Sequence, residues 1–191
     1  KVKVIFKEKD PEKFNFLWNF YNQNNLSSFH YLETFVSYSL MYSKTLYKDL
    51  SFVLYNNNEP LSIVFYPIEE TEDSRSVSIA NEHCVAPLSL SEKIEKYAFG
   101  FMNEIAQEES IQKEMFCSDV LIQEYKNNTF NYLKKYGFMD CSISDTLIDL
   151  RQDENTMWSN LRKGHKSDIK KVNSRTDTKI KIVDCDNQDQ N

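Results

Sequence analysis

The sequence predicts a mixed α/β fold (α+β) in which a largely antiparallel, twisted sheet is flanked by helices. Three observations predict it: alternating apolar residues at the start of the chain, two β-rich runs that form a hairpin, and helical apolar periodicity on both sides of that hairpin. The chain has 191 residues, of which 40% are hydrophobic and 14% aromatic, which is enough for one good core. Two full-sized domains are not expected in that length.

A strand and two helices open the chain. The strand is predicted because apolar and charged residues alternate around Val2 and Val4. A helix follows, with Asp10 at its cap and Pro11 in its first turn. A second helix is predicted over residues 28–47, where apolar residues recur at helical spacing. Most aromatic residues of the first helix are expected in the core: Phe14, Phe16, Trp18, Phe20 and Tyr21.

Three β-rich runs form the centre of the sequence. LSFVLY and LSIVFYPI are separated by NNNEP, which has the composition of a turn, so they are predicted to pair as a hairpin. SRSVSIANEHC is predicted as a third strand of the same meander, with Val77 and Ile79 on one face. The acidic segment EETEDS, residues 69–74, is interpreted as a mobile loop rather than a cation site.

A central helix and a strand–helix–strand unit come next. The helix is predicted from a cap at Ser91 and an apolar stripe at Ile94, Ala98, Phe101 and Ile105. KEMFCSDVLI is predicted as a strand, and the following helix ends at Gly137 in the C-cap position. CSISDTLIDL supplies a final strand pair or one long bent strand, which completes the order βααβββαβαβ. A further helix in DENTMWSNLRKGHKSDIKKVNS and a strand in TKIKIVD begin after this unit.

Hydropathy and cysteine usage exclude several classes of protein. No segment reaches the roughly 18 apolar residues that a membrane span requires, and the first residues do not form a secretory signal. The four cysteines form no CxxC pair, which indicates reduced thiols rather than a disulfide frame or a zinc site. We therefore expect a cytoplasmic protein without a metal site. The formal net charge of −6 argues against wholesale binding of nucleic acid, so no DNA partner is expected.

The element order and two segments resemble a known family. The order over about residues 1–150 resembles the GNAT acyltransferase fold, and YLKKYGFMD resembles the helix end and following strand of GNAT chains. Residues 146–184 resemble the junction between the two lobes of the Fem family of peptidoglycan cross-bridge aminoacyltransferases. This resemblance implies a degenerate GNAT-like lobe at residues 1–150 and the start of a second lobe at residues 151–191, with further chain beyond.

The turn before the central helix lacks the residues that hold coenzyme A in a GNAT enzyme. Such an enzyme binds the pyrophosphate on backbone N–H groups of a glycine-rich turn, because glycine lets the backbone approach phosphate closely. Here the turn reads HCVAPLSLSEKIEKY, without glycine, and Pro87 has no N–H to donate. We infer that this lobe does not bind coenzyme A in the usual manner. In the Fem family the first lobe helps to shape the acceptor site, which agrees with this inference.

Positive charge is concentrated near the end of this acidic chain. Residues 161–182 contain eight basic and two acidic residues on a predicted helix and the strand after it. An apolar stripe along one helix is predicted to be buried: Trp158, Leu161, His165, Ile169 and Val172. The candidates for binding phosphate or substrate lie beside it: Arg162, Lys163, Lys166 and Lys170. The alternative interpretation is that these cations are solvated on an exposed helix face.

No residue is predicted to be catalytic. His165 is interpreted as a half-buried residue of the stripe, since it has no metal-binding neighbours and no evident triad partner. His83 and Cys84 are adjacent on a predicted strand, so their side chains point to opposite faces and cannot easily form a nucleophile–base pair. Arg162 is the best candidate for a phosphate clamp, because a guanidinium binds two oxygens at once.

The resemblance predicts an acyl- or aminoacyltransferase that acts on a cell-envelope or nucleotide-linked sugar precursor. This chain would be mainly the first lobe, without a bound cofactor of its own, and the complete protein would take acyl-CoA or aminoacyl-tRNA as donor. Its expected partners are a nucleotide- or lipid-linked sugar precursor and its own C-terminal lobe. The alternative is a non-catalytic GNAT-like module that binds a nucleotide sugar or a protein. A complete CoA-dependent N-acetyltransferase is disfavoured by the missing glycines.

Overall fold

A computed structural model of the chain describes residues 1–119, 131–141 and 151–175. The chain divides into two compact units, Lys1–Ser142 and Ile143–Asn191. The predicted boundary after residue 150 stays a prediction, because residues 142–150 lie outside the described part of the chain. Of the predicted strands in CSISDTLIDL, only Cys141 is among the described residues. The predicted strand in TKIKIVD lies entirely outside them.

The first unit contains short strands and three α-helices among its described residues. The strands are β1 (Lys3–Phe6), β2 (Leu46–Asp49), β3 (Phe52–Asn56), β4 (Glu59–Val64), β5 (Pro67–Glu70), β6 (Arg75–Val77), β7 (Cys84–Val85), β8 (Leu88–Ser89), β9 (Lys113–Glu114) and β10 (Phe116–Cys117). The helices are α1 (Pro11–Asn24), α2 (Glu33–Tyr42) and α3 (Glu92–Glu108), with 3₁₀ turns at Phe29–Tyr31 and Tyr132–Tyr136. The second unit contributes α4 (Glu154–Asn160) and α5 (Lys163–Asn173).

The strand pairings confirm the predicted mixed fold with a largely antiparallel sheet. One sheet has the order β1-β3-β4-β8 with antiparallel neighbours throughout. The second has the order β2-β5-β6-β9, in which only β6 and β9 are parallel. A separate parallel pair joins β7 to β10. The two parallel pairings arise because α3 connects β8 to β9, a crossover of the kind that parallel strands require.

The central hairpin is confirmed. Strands β3 and β4 pair antiparallel from Phe52 opposite Val64 to Asn56 opposite Glu59. The turn between them uses Asn57 at φ 49° and Asn58 at φ 66°. Asparagine is one of the few residues that adopts this left-handed region readily, so the NNN run favours the tight hairpin turn.

The predicted helix boundaries are confirmed where a local hydrogen bond sets them. The carboxylate of Asp10 accepts from the backbone N–H of Lys13 at 3.0 Å and caps α1. The Ser91 hydroxyl accepts from the backbone N–H of Ile94 at 3.4 Å and caps α3. Gly137 ends the last turn of the first unit at φ 89°, although that turn is a 3₁₀ helix rather than an α-helix.

The second helix is shorter than predicted. Residues 28–47 contain a 3₁₀ turn, then α2, and then β2, in which Tyr47 lies. The extended backbone of Leu32, with ψ 138°, separates the 3₁₀ turn from α2. The apolar periodicity past residue 42 is overridden because β2 pairs with β5, where Leu46 lies opposite Glu69.

Two strand predictions also need correction. The run LSIVFYPI is split at Phe65 and Tyr66, between β4 and β5, and the Tyr66 backbone N–H donates to the Ser51 hydroxyl at 3.0 Å. The second half, β5, therefore leaves the hairpin, and the third run pairs with β5 in the other sheet instead of continuing the meander. The predicted strand KEMFCSDVLI consists of two short strands, β9 and β10, within its described part.

The core of the first unit lies between α1, α3 and the sheets. Tyr31, Tyr66 and Phe52 are its largest fully buried side chains. On α3 the predicted stripe is correct for Ala98 and Ile105, whereas Phe99 is buried beside them and Phe101 is only partly buried. Among the described residues, no helix is long and apolar enough to span a membrane.

Candidate functional site

In the turn between β7 and α3, the backbone N–H groups of Ala86 and Leu90 bond to neighbouring strands. The N–H of Ala86 donates to the Cys117 carbonyl at 2.8 Å, and Pro87 has none to donate. Leu88 and Ser89 form β8 against β4, and the N–H of Leu90 donates to the Leu61 carbonyl at 3.0 Å. A phosphate cradle needs several unpaired N–H groups that converge on one point. This segment instead contains a short strand that is hydrogen-bonded to the first sheet.

The start of α3 carries acidic side chains. Glu92 is in its first turn and forms an ion pair of 3.5 Å with Lys135. Glu95 is buried one turn later, at 6% exposure, and its carboxylate accepts from the Tyr136 hydroxyl at 2.7 Å. Acidic side chains stabilise a helix N-terminus through the helix dipole, without any bound ligand. They also repel an anion, so a diphosphate at this end of α3 would meet two carboxylates.

Tyr31 binds the backbone at the end of β7. Its hydroxyl lies 3.0 Å from the carbonyl oxygens of both Val85 and Ala86. In a strand the N–H and the C=O of one residue point to the same side, and successive residues alternate. Since the N–H groups of Cys84 and Ala86 bond to β10 and its neighbour Met115, the Val85 carbonyl points away from β10. The Tyr31 hydroxyl there also meets the backbone of Phe65, just after β4. Tyr31 therefore joins the end of β7 to the segment that follows β4.

Tyr31 is fixed in this position by its neighbours. Its backbone carbonyl accepts from the indole N–H of Trp18 at 2.7 Å and from the Asn22 amide at 2.8 Å. The rings of Trp18 and Tyr31 are stacked with centroids 5.3 Å apart. Burial raises the pKa of the Tyr31 hydroxyl well above its ordinary value, so the hydroxyl stays protonated and donates. A buried aromatic group therefore holds the end of β7 in place.

A polar cluster that the sequence analysis missed joins the α1–α2 connection to the end of β10. The Ser28 hydroxyl donates to the Asp119 carboxylate and lies 2.9 Å from Nδ1 of His30. Since the one hydroxyl proton of Ser28 is directed at Asp119, His30 is the donor to Ser28 and is not its base. Burial lowers the pKa of His30, and the Asp119 charge opposes this only in part. The cluster orders the loop and lacks the proton path of a catalytic triad.

The basic candidates lie on two helices rather than one. α4 ends at Asn160, and Arg162 is the N-cap residue of α5 with extended backbone at ψ 147°. Lys163, Lys166 and Lys170 are three and four residues apart, so they share one side of α5. Lys166 also donates from Nζ to the Ser159 carbonyl at 3.0 Å, which joins the end of α4 to α5. The structure thus brings the three lysines together and leaves Arg162 at the start of their row.

The predicted buried stripe beside these lysines is wrong. Trp158 is 36% exposed, Ile169 38% and Val172 41%, and His165 is exposed as well. The stripe was predicted for one continuous helix, but the break at residues 161–162 divides it. His165 is therefore a surface residue, not a half-buried one.

The structure settles the roles of Cys84 and of the acidic segment at residues 69–74. Cys84 is buried at 1% exposure, and burial raises the pKa of its thiol well above the ordinary value, as in a structural cysteine. Glu69 and Glu70 belong to β5, so the interpretation of the whole segment as a mobile loop is wrong. Five donors surround the buried Glu69 carboxylate: the hydroxyls of Ser43, Thr45 and Ser78 and the backbone N–H groups of Ala80 and Asn81.

No family model and no curated protein matches the sequence. Solved structures of N-acetyltransferases do align with 78% of the chain. Ribosomal-protein-alanine N-acetyltransferase from Brucella melitensis biovar Abortus 2308 is 12% identical with a TM-score of 0.48, over 99% of its own chain. Glucosamine-6-phosphate N-acetyltransferase from Arabidopsis thaliana is 11% identical with a TM-score of 0.45, over 98% of its chain. A putative acetyl transferase from Pyrococcus furiosus is 15% identical with a TM-score of 0.44, over its full length.

At this level of similarity, the activities and substrates of those proteins do not transfer to this chain. The Fem-type resemblance stays a prediction, as do the cytoplasmic location and the donor. Among the described residues, no group of three or more His, Cys, Asp or Glu side chains could hold a metal ion.

Proposed function

We propose that this chain is the first lobe, with the start of a second, of a GNAT-like and Fem-related acyl- or aminoacyltransferase. The observation that carries the proposal is the turn before α3, which has no glycine and in which the N–H groups of Ala86 and Leu90 are paired within the sheets and Leu88 and Ser89 form β8. A lobe that keeps this architecture without a diphosphate cradle has a role other than holding coenzyme A. The donor, acyl-CoA or aminoacyl-tRNA, would then bind to the C-terminal lobe of the complete, cytoplasmic protein.

The basic row on α5 is the proposed contact for the acceptor. Arg162, Lys163 and Lys170 are exposed, and Lys166 is partly so. A row of cations at helical spacing fits a phosphate or diphosphate, such as that of a nucleotide- or lipid-linked sugar precursor. Transfer to an amine or hydroxyl of this acceptor would depend mainly on holding donor and acceptor in line, which accounts for much of the rate in such reactions.

The proposal is tested with the full-length protein by measuring acyl transfer to nucleotide-linked muropeptides and amino sugars. Arg162→Ala and Lys170→Ala are expected to raise the acceptor KM about 10- to 100-fold each, because each removes a charged hydrogen bond to phosphate. Lys166→Ala is included although it also removes the link to Ser159. Lys96→Ala, an exposed lysine of α3, is the matched control and should leave KM unchanged. Unaltered KM and kcat in all three test variants would exclude α5 from acceptor binding.

The absence of a diphosphate cradle also favours a second candidate function. A non-catalytic GNAT-like module that binds a nucleotide sugar or a protein would need no donor site at all. A nucleotide sugar that binds the full-length protein, is lost with Arg162→Ala, and is never acylated in the presence of either donor would support this alternative over the transferase.

A further inference from the structure

The segment that forms α1, the 3₁₀ turn and α2 is almost free of charge. Residues 14–43 contain one charged side chain, Glu33, in a chain of which 27% is charged. The same segment is rich in Asn, Ser and aromatic residues. A helical surface without charge cannot bind nucleic acid or an anionic membrane through electrostatics. Binding at this surface therefore depends on apolar contact and neutral hydrogen bonds rather than on pairing of charges.

Large apolar side chains project from this segment into solvent. Phe14, Trp18 and Tyr21 of α1 are buried, as the sequence analysis expected. Phe16 and Phe20 of α1 lie outside the core, so the prediction holds for most of these residues and not for this pair. Eight side chains that are 41–87% exposed define what we call the α1–α2 face: Phe16, Phe20, Leu26, Phe29, Leu32, Tyr38, Met41 and Tyr42.

The α1–α2 face draws on two neighbouring helices. Phe16, Asn19 and Phe20 lie three and four residues apart and share one side of α1. The Asn19 amide donates to the Glu33 carboxylate at 3.1 Å, which places this side of α1 next to the first turn of α2. Along α2, Tyr38 and Tyr42 again share one side, with rings stacked at 5.9 Å.

We propose that a second copy of this chain docks on the α1–α2 face. Residues 1–142 contain 14 Lys and Arg against 20 Asp and Glu, so two copies repel each other over most of this unit. The α1–α2 face is where two copies can meet without opposing like charges. A two-fold dimer uses the same patch on both subunits, and a patch without charge is compatible with itself.

The exposed area matches what a stable dimer needs. An aromatic side chain buries about 150–250 Å². The five aromatic side chains of the face, at 41–65% exposure, therefore leave on the order of 600 Å² open, and Leu26, Leu32 and Met41 add to it. A standard-size interface buries about 800 Å² per partner, whereas the largest apolar patch of a typical monomer is about 300–600 Å². The helices, about 21 Å and 15 Å long, would form a four-helix layer with their copies.

Sedimentation velocity of the full chain from about 1 to 100 µM tests the proposal, since this range covers the affinities of ordinary homodimers. The wild type is expected to be dimeric. Met41→Glu should raise the dimer dissociation constant at least about 100-fold, because it buries an unpaired charge. Tyr38→Lys, which introduces a positive charge, should raise the dissociation constant by a similar factor.

Met139→Glu is the matched control, because Met139 is 85% exposed and Met41 is 87% exposed. It should change the dissociation constant less than about threefold, as expected for a charge that remains in solvent. Circular dichroism checks that each variant is folded. The proposal is overturned if the wild type is monomeric at every concentration, even if another partner binds the α1–α2 face. An equal effect of the Met139 and Met41 variants overturns it too.

Discussion

The hydroxyl of Tyr31 lies 3.0 Å from the carbonyl oxygen of Ala86, just after β7. This contact connects two features of the first unit. In the turn that follows Ala86, Pro87 has no N–H and the Leu90 N–H bonds to the Leu61 carbonyl, and the end of β7 beside it is held by a buried tyrosine. Both features indicate a lobe in which this end of the sheet is packed.

Tyr31→Phe should lower the free energy of unfolding by about 1–3 kcal/mol, because two buried carbonyls lose their hydroxyl partner. Urea denaturation measures the effect. Tyr97→Phe, at a side chain of α3 that is 49% exposed, is the control and should change stability by less than about 0.5 kcal/mol. Equal effects of the two variants would show that the Tyr31 hydroxyl does not stabilise the end of β7.

Glu69→Gln should destabilise the first unit by about 2–4 kcal/mol, since an amide replaces a buried carboxylate that accepts from five donors. Glu70→Gln is the control. Glu70 is exposed and pairs with Arg75 at 2.7 Å, so its loss should cost about 0–1 kcal/mol. Urea denaturation at pH 7 compares the two variants, and a smaller effect at Glu69 than at Glu70 would contradict this account.

The acid stability of the protein should depend on Glu69. Burial raises the pKa of its carboxyl, but the hydrogen bonds from Ser43, Ser78, Asn81 and Thr45 outweigh burial and lower it below the ordinary 4.5. A lowered pKa in the folded state contributes stability above pH 4.5, and this is lost as the pH falls through the lower folded value. Glu69→Gln should therefore flatten the decline in stability between about pH 4.5 and pH 2. An unchanged acid slope in the variant would contradict the assignment.

Local interactions explain which parts of the fold could be predicted. The Asp10 and Ser91 caps and the αL residue Gly137 each depend on a few consecutive residues, so the sequence contains their full signal. The partners of Glu69 come from residues 43 to 81 and meet only after β2, β5 and β6 have paired. A glutamate in an acidic run gives no local sign of that environment, which is why the run was interpreted as a loop.

Glu114 should show the opposite pH dependence from Glu69. Burial raises the pKa of its carboxyl, and the hydrogen bond from the Tyr66 hydroxyl, at 2.6 Å, opposes this only in part. The ionised carboxylate therefore costs stability above the raised pKa, and the cost disappears as the pH falls below 4.5. Glu114→Gln keeps an acceptor for Tyr66 and should stabilise the protein at pH 7 but not at pH 4. A variant that is less stable than the wild type at both pH values would refute this assignment.

Gly137→Ala should destabilise the protein by about 1–2 kcal/mol, because φ 89° is unfavourable for a residue with a Cβ. Gly100→Ala is the matched comparison. Gly100 lies within α3 with no atom within 4 Å of an added Cβ, so alanine there should stabilise by about 0.5–1 kcal/mol. Thermal unfolding of both variants measures the signs, and stabilisation by both would contradict the role of Gly137 as a left-handed cap.

The candidate site could be predicted only in part. The glycine-free turn and the lysine row are visible in the sequence because each depends on residue type and spacing. The break between α4 and α5 is not visible in the sequence, because neither residue 161 nor residue 162 is Pro or Gly. Tyr31 was missed because its role depends on the carbonyls of Val85 and Ala86, which lie more than 50 residues away in the chain.

The central claim is that the turn between β7 and α3 cannot hold a diphosphate. An NMR titration of the ¹⁵N-labelled full chain with coenzyme A tests it most directly. The titration extends to about 5 mM, because a dissociation constant above that value is too weak for a functional site. The account predicts that the amide signals of residues 84–92 keep their chemical shifts throughout. Saturable shifts of those amides at micromolar coenzyme A would contradict it.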